Sequence, residues 1–186
     1  MKSIGYQIQF LSDWHAGSGL SAGAEADQLT IKDADGCPFL PGKTIKGLLV
    51  TALRQMNATG LVTDQEFELL QGTGNQKEAQ GQPSICFFTD AQMPAGMREA
   101  IQGKQHFLFR KIASTKIDAE GLAVEQSLRT MEAATAVELE GKIMVEHHEQ
   151  ISFERTQEIF KTAFALVKLV GFNRNRGLGR CRIKMK

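Results

Sequence analysis

Apolar and polar residues alternate over the first ten positions of the chain, and the apolar members are Ile4, Tyr6, Ile8 and Phe10. A period of two is typical of a strand that buries one face. Further apolar or alternating stretches predict a short buried strand over 85–89, a strand over 139–146 and a closing strand over 181–185. The chain therefore offers four strands for one sheet.

Two stretches between these strands carry apolar residues at helical spacing. The first helix is predicted to begin near Lys43, with an apolar face of Ile45, Leu48, Leu49, Ala52, Leu53 and Met56. The second follows the capping residue Ser152, and its predicted face includes Ile159, Phe160, Ala163, Leu166, Val167 and Val170. The resulting order, β-α-β-β-α-β, predicts an α+β fold with a ferredoxin-like, RRM-like core.

The remaining segments are predicted connections. A loop over 13–27 leads to a short hairpin whose turn lies at 33–36, and a short helix is expected over 64–70. The polar, glycine-rich and glutamine-rich stretch 72–83 is expected to be mobile. Residues 104–137 follow no single period and include turn residues at 118–121, so they are interpreted as a hairpin that leaves the core.

Size and composition favour one soluble domain over residues 1–186. A chain of 186 residues with 42% hydrophobic and 23% charged residues can bury one core. Its three cysteines lie far apart, which favours a reducing, cytoplasmic setting over a disulfide or zinc framework. The longest apolar stretch, 160–170, is interrupted by two lysines and is not expected to span a membrane.

Glycines and cations cluster toward the two ends of the chain, in 15–19 running on to 41–47 and in 171–186, although the net charge of the chain is only +1. Glycine lets the main chain approach a ligand closely, while lysine and arginine attract phosphates. We therefore predict a surface for RNA, on which Lys46 and Arg180 lie together. The candidate RNA-binding residues are His15, Gly17, Ser18, Gly19, Lys43, Thr44, Lys46, Arg54, Arg110, Arg129, Arg174, Arg176 and Arg180.

Individual residues within these segments have defined candidate roles. The first turn of the helix after Pro41 would present unpaired N–H groups beside Lys43 and Lys46, forming a seat for a phosphate. Ser18 and Thr44 could contact the ribose hydroxyls, and His15 could stack on a base. The alternatives are that the glycines only form tight turns and that His15 belongs to the core.

Several of these segments, in this order, resemble the RAMP superfamily, whose members belong to CRISPR effector complexes. The resembling stretches are 15–19, Ala26-Asp27, 33–36, 38–48, 88–91, 128–132, 139–141 and 177–180. Within the superfamily the chain resembles the repeated backbone subunit of type III complexes, because 104–137 is similar to its thumb. Lys43-Thr44 stands where small hydroxyl residues are more usual.

The resemblance implies a function in antiviral defence. Copies would stack along the guide, or crRNA, beside other effector subunits, and each thumb would displace a base of the guide-target duplex. An acidic loop residue would support cleavage of target RNA, and by position this is Asp27, with Asp33 as the second choice. One carboxylate could hold a magnesium or manganese ion only if phosphates and water complete its coordination. A structural subunit that binds RNA without cleaving it is the alternative.

Other nucleotide-binding patterns fit less well. Gly42-Lys43-Thr44 resembles the end of a P-loop, but five residues instead of four separate Gly36 from Gly42, so an NTPase is a remote alternative. His147 and His148 are adjacent on a strand and point to opposite faces, which favours a solvated strand end over a metal site.

Overall fold

The computed structural model describes residues 1–21, 26–72 and 81–186. Its elements are β1 (Lys2–Phe10), α1 (Gly42–Ala58), α2 (Asp64–Gln71), β2 (Cys86–Phe88), α3 (Ala95–Ala100), β3 (Phe109–Ser114), β4 (Arg129–Ala134), β5 (Glu138–Val145), α4 (Phe153–Leu166) and β6 (Cys181–Met185). Short 3-10 turns lie at Gln105–Leu108 and Arg174–Arg176.

Four strands form one antiparallel sheet in the order β2-β5-β1-β6. The chain forms two β-α-β units, β1-α1-β2 and β5-α4-β6. The first strand of each unit lies in the centre of the sheet and the second lies at an edge. Tyr6 lies opposite Gly141 of β5, and Ile8 lies opposite Ile183 of β6. This interleaving confirms the predicted α+β, ferredoxin-like fold.

The core lies between the sheet and the helices α1 and α4. Alternate residues of β1 are buried against the helices, as their period predicts, and α1 contacts β2 and α4. Ser152 accepts a hydrogen bond from the Arg155 N–H and caps α4, as predicted. The Arg155 guanidinium also donates to Glu66 of α2, at 2.7 and 3.2 Å, which lowers the pKa of the Glu66 carboxyl.

The predicted extent of α4 is wrong at its end. The helix stops at Leu166, which is 45% exposed, while Val167 and Val170 are buried in extended backbone beyond it. Val170 N–H donates to the Gly179 carbonyl at 2.8 Å, and Cys181 N–H donates to the Lys168 carbonyl at 2.9 Å. Residues 168–170 thus pair with residues 179–181, and these hydrogen bonds take the place of those that would continue the helix.

The stretch interpreted as an excursion forms a hairpin outside the main sheet. Strands β3 and β4 pair only with each other in a regular ladder, with Ile112 opposite Met131. At the tip, the Asp118 carboxylate accepts the N–H groups of Glu120 and Leu122, which confirms a turn at 118–121. That residues 1–186 form one domain stays a prediction.

The other connections are partly described. The turn at 33–36 joins Lys32 and Pro38 in a single bridge, as a short hairpin requires. Most of the connection 72–83, predicted to be mobile, lies outside the described residues. Over the part of the chain that is described, the helices are too short or too polar to cross a bilayer.

Candidate nucleic-acid interface

The glycine-rich segments at the two ends of the chain meet in space, as predicted. Gly179 N–H donates to the Asp13 carbonyl at 2.8 Å, and Phe172 N–H donates to the His15 carbonyl at 2.8 Å. Leu11 N–H donates to the Arg180 carbonyl at 2.7 Å. Because β1 ends beside the start of β6, the loop after one strand lies against the loop before the other.

Two glycines allow close main-chain contacts here, Gly171 with the loop after β1 and Gly179 within the C-terminal segment. Gly171 has φ +92°, and a Cβ there would lie 2.3 Å from the His15 carbonyl oxygen. Gly179 has φ +73°, and a Cβ there would lie 1.8 Å from the Val170 carbonyl oxygen. Both positions combine a left-handed backbone with a contact that only hydrogen can occupy.

The loop that carries Asp27 runs along strand β4. Asp27 N–H donates to the Thr130 carbonyl at 2.8 Å, and Thr130 N–H donates to the Asp27 carboxylate at 2.7 Å. Further along, Glu132 N–H donates to the Gln28 carbonyl, and Lys32 forms an ion pair with Glu132 at 2.9 Å. Strand β4 of the hairpin therefore holds Asp27 in place.

A groove of about 240 Å³ lies where this loop, β4 and the C-terminal loop come together. Its lining includes Asp27, Gln28, Ile112, Arg129, Met131, Phe172, Asn173, Arg176 and Leu178, and we call it the arginine groove. It adjoins a depression that reaches Gly17 and Gly19 and another that reaches Arg174. The predicted residues that come together here are Gly17, Gly19, Asp27, Arg129, Arg174 and Arg176.

Three predicted residues near the groove have contacts within the protein. The Ser18 hydroxyl donates to the Leu29 carbonyl at 3.0 Å and holds the loop together. Arg110 pairs with Asp13 at 3.5 Å, with 68% of its side chain exposed. Arg180 lies at the β6 edge, where its N–H donates to the Ser12 hydroxyl at 3.0 Å.

The prediction that His15 stacks on a base is wrong. The residue is only 2% exposed, and its Nδ1 lies 2.6 Å from the Glu132 carbonyl oxygen and 3.2 Å from the Thr30 hydroxyl. Trp14 is fully buried and stacks on Phe10. His15 is therefore part of the core that positions the loop, which was the alternative interpretation.

The start of α1 does not form the predicted phosphate seat. Gly42 N–H donates to the Asp90 carboxylate at 2.8 Å, so an anion of the protein already occupies this position. A Cβ on Gly42 would lie 2.1 Å from the Phe88 carbonyl oxygen, so this glycine serves the packing of α1 on β2. The Asp90 carboxylate at this position also argues against a P-loop, whose backbone N–H groups bind a nucleotide phosphate.

The cations of α1 do not line the arginine groove. The helix begins at the β2 edge, with Lys43, Thr44 and Lys46 in its first turns and Arg54 farther along. Arg180 lies at the opposite β6 edge, and neighbouring strands are about 4.8 Å apart, so the sheet is about 14 Å across. The prediction that Lys46 and Arg180 share one surface is therefore wrong.

Asp33, the second acidic candidate, has a structural role. One of its carboxylate oxygens accepts the N–H groups of Asp35 and Cys37, both at 3.0 Å. The other accepts from the Arg98 guanidinium at 2.5 Å. Burial and the neighbouring Asp33 charge raise the pKa of the Cys37 thiol. With both oxygens engaged, Asp33 is not free to hold an ion.

Asp27 is exposed, and the Thr130 N–H engages only one of its carboxylate oxygens. Among the described residues no group of three His, Cys, Asp or Glu side chains is arranged to hold a metal ion. The chain thus fits a divalent ion only as a partial ligand. Asp27 would supply one oxygen, and RNA phosphates and water would supply the others.

The open face of the sheet lacks the usual features of an RRM-type platform. RRM domains stack bases on aromatic residues of their central strands. Here β1 and β5, both fully described, present Gln7, Gln9, Glu140 and Lys142 on that face. Phe87 is exposed there, but it lies on the edge strand β2. The arginine groove is the better candidate for an interface.

The residues of the groove that the sequence analysis missed are Gln28, Ile112, Ser114, Thr130, Met131, Phe172, Asn173 and Leu178. The signal for Phe172 was its position, since an aromatic residue lies between Gly171 and the arginines of the C-terminal loop. For Gln28 and Met131 the sequence holds no such signal, because their meeting depends on the pairing of the loop with β4.

Comparison with known proteins identifies the family. The model of the RAMP superfamily matches residues 7–182. The match covers nearly the whole chain, so this protein belongs to the RAMP superfamily, and the resemblance found in its sequence is confirmed.

Two solved structures show the same fold. A chain in the cryo-EM structure of type III-B Cmr-beta bound to cognate target RNA is 9% identical, with a TM-score of 0.74 over 100% of this chain and 97% of that one. A chain of the apo state of Cmr-beta is 10% identical, with a TM-score of 0.70 over 98% and 96%. No curated protein matches the sequence.

Proposed function

We propose that this chain is a guide-RNA-binding backbone subunit of a CRISPR type III effector complex, acting in antiviral defence. Membership of the RAMP superfamily and a likeness in fold, over the full chain, to chains of type III-B Cmr-beta support this assignment. The observation that carries it is the arginine groove, in which Arg129 and Arg176 meet a glycine-rich loop and Asp27.

The groove is suited to a ribose-phosphate strand. Guanidinium groups can form paired hydrogen bonds with phosphate oxygens, and Arg129 and Arg176 come from different elements, so they can contact successive phosphates. Such contacts carry no base information. Copies of the subunit would therefore stack along crRNA of any sequence, next to target RNA and other effector subunits.

The β3-β4 hairpin is suited to the role of the thumb. Ile117, Leu122 and Leu128, at or near its tip, are between 62% and 69% exposed. Apolar side chains can separate stacked bases, as they do in proteins that kink nucleic acids. In this proposal the tip displaces one base of the guide-target duplex, and strand β4 holds Asp27 beside the RNA backbone.

Asp27 then supports cleavage of target RNA. A bound magnesium or manganese ion would supply stabilisation of the charge that develops on the leaving oxygen. The protein itself fixes Asp27 through the Thr130 N–H and neutralises neighbouring phosphates through Arg129 and Arg176. Both arginines lie in the same groove as the carboxylate, so binding and positioning use one surface.

The test is cleavage by the assembled complex with matched guide and target RNA and either metal. Asp27→Asn keeps the size of the side chain and an acceptor for Thr130, so we expect RNA binding within about twofold of the parent and cleavage reduced about a hundredfold or more. Asp64→Asn, on the exposed start of α2, is the matched control and should cleave normally. Cleavage at the parental rate by Asp27→Asn would remove Asp27 from the mechanism.

A non-catalytic, structural RNA-binding subunit is the second candidate. It is favoured by the isolation of Asp27, whose carboxylate already accepts a backbone N–H and has no partner ligands among the described residues. The same experiment separates the two. If the complex retains guide and target RNA but makes no regularly spaced cuts with either metal, the subunit has a structural role.

A further inference from the structure

Phe172 is an exposed aromatic residue in the centre of the proposed interface. It is 56% exposed, and it lines the arginine groove and both adjoining depressions. Its ring contacts the buried His15 ring edge to face, with centroids 6.3 Å apart and planes at 68°. One side of Phe172 is thus supported by the core, while the rest is accessible to a ligand.

The backbone on either side of Phe172 is held in place. Gly171, at φ +92°, packs directly on the His15 carbonyl, which also accepts the Phe172 N–H at 2.8 Å. Asn173 adopts the left-handed conformation at φ 54°, which is uncommon for a residue other than glycine. Its side-chain amide lies 3.7 Å from the Met131 sulfur on β4. An aromatic ring presented on fixed backbone needs little ordering when a flat ligand binds.

The charges around the ring identify the type of ligand. Arg129, Arg174 and Arg176 lie in the groove or the depressions that Phe172 also lines. An exposed aromatic ring among cations combines the two contacts that single-stranded nucleic acid uses, namely stacking of bases and neutralisation of phosphates. The open face of the sheet does not offer this combination on its central strands.

We propose that Phe172 is a stacking platform for one unpaired RNA base, while Arg129 and Arg176 contact the phosphates on either side of that nucleotide. This inference rests on the proposed function, and it adds a base-binding position next to Asp27. Stacking is tolerant of sequence because every base has a π-face. The platform would therefore hold a nucleotide without selecting it.

The test measures binding of the full chain to a short oligouridine that carries one fluorescent purine analogue, whose emission is quenched by stacking. Phe172→Ala and Phe172→Leu should weaken binding by about tenfold and abolish the quenching, whereas Phe172→Tyr should retain both. Leucine keeps apolar bulk without a π-face, so it separates stacking from general apolar contact. Phe87→Ala is the matched control, since Phe87 is 52% exposed but lies on the open face of the sheet.

The outcomes distinguish this inference from the proposed function. If the parent protein binds and quenches the RNA but Phe172→Ala and Phe172→Leu do so equally well, the platform is refuted and the function stands. If only Phe87→Ala loses quenching, the base stacks on the sheet instead, and the platform is again refuted. If the parent does not bind RNA even at low salt, both proposals fail together.

Discussion

The start of α1 and the C-terminal loop are similar in composition but have different surroundings. Both place glycines beside basic residues, at 41–47 and at 171–180. At α1 the Asp90 carboxylate accepts the Gly42 N–H, and Gly42 packs on the Phe88 carbonyl. In the C-terminal loop, Gly171 and Gly179 pack on carbonyls as well, yet Arg176 lines the accessible arginine groove and Arg174 lines the depression next to it.

The difference shows what glycine contributes in each region. In both regions glycine lets one stretch of main chain pack closely on another, and the contact is with the protein itself rather than with a ligand. Whether a phosphate can bind depends on the side chains next to each close contact. At α1 the neighbour is the Asp90 carboxylate, whereas the C-terminal loop carries Arg174, Arg176 and Arg180. A glycine-lysine pattern therefore indicates tight packing first and anion binding only where the surrounding charges allow it.

The largest effect is expected when the close approach in the C-terminal loop is blocked. Gly179→Ala places a Cβ 1.8 Å from the Val170 carbonyl oxygen at φ +73°, so the 168–170 and 179–181 segments must separate. We expect a loss of at least about 3–5 kcal/mol in the free energy of unfolding, measured by urea denaturation.

Gly177→Ala is the matched control for this substitution. Gly177 also has a positive φ, +90°, but a Cβ there meets no atom of the described residues within 4 Å. Only the backbone strain remains, and it should cost about 1 kcal/mol. Equal losses for the two variants would mean that backbone conformation, rather than the contact with Val170, accounts for the requirement for glycine at 179.

Much of the fold was predictable because it depends on local patterns. The alternation in β1, the helical face of α1 and the cap at Ser152 each act within a few residues, and each lies where the sequence predicts. The end of α4 was not predictable, since Val167 and Val170 continue the helical spacing but pair their segment with 179–181.

The site was predictable in its sequence segments but not in its geometry. Gly17, Asp27, Arg129 and Arg176 come together as expected, because the end of β1 lies beside the start of β6 and the Asp27 loop pairs with β4. Lys46 does not join them, because helix α1 starts at the other edge of the sheet. The burial of His15 also depends on contacts more than a hundred residues away in sequence, with Glu132, which no local pattern reveals.

The second prediction compares the cations of the two regions directly. The double substitution Arg129→Gln and Arg176→Gln should weaken binding of single-stranded RNA by about a hundredfold. It should also reduce the slope of log affinity against log salt by about 1.4, since each phosphate contact on a single strand contributes about 0.7. Affinity measured across a salt series gives both quantities.

Lys43→Gln with Lys46→Gln removes the same charge from the α1 region. With Asp90 at the start of the helix, these lysines face no vacant phosphate position, so we expect a change of less than about threefold and almost no change in slope. If the lysine pair lost as much affinity as the arginine pair, the RNA would extend across both edges of the sheet, and the contrast between the regions would not hold.

The smallest effect tests whether Asp90 is what distinguishes the two regions. Asp90→Asn keeps an oxygen acceptor for the Gly42 N–H but removes the negative charge at the positive end of the α1 dipole. We expect a loss of about 0.5 kcal/mol in stability and a gain of about twofold in RNA affinity. The gain should vanish when Lys43 and Lys46 are also replaced by glutamine, because the new phosphate position would depend on them. A gain that persists in that background would place the additional RNA contact elsewhere, and the Asp90 carboxylate would then not account for the difference between the two regions.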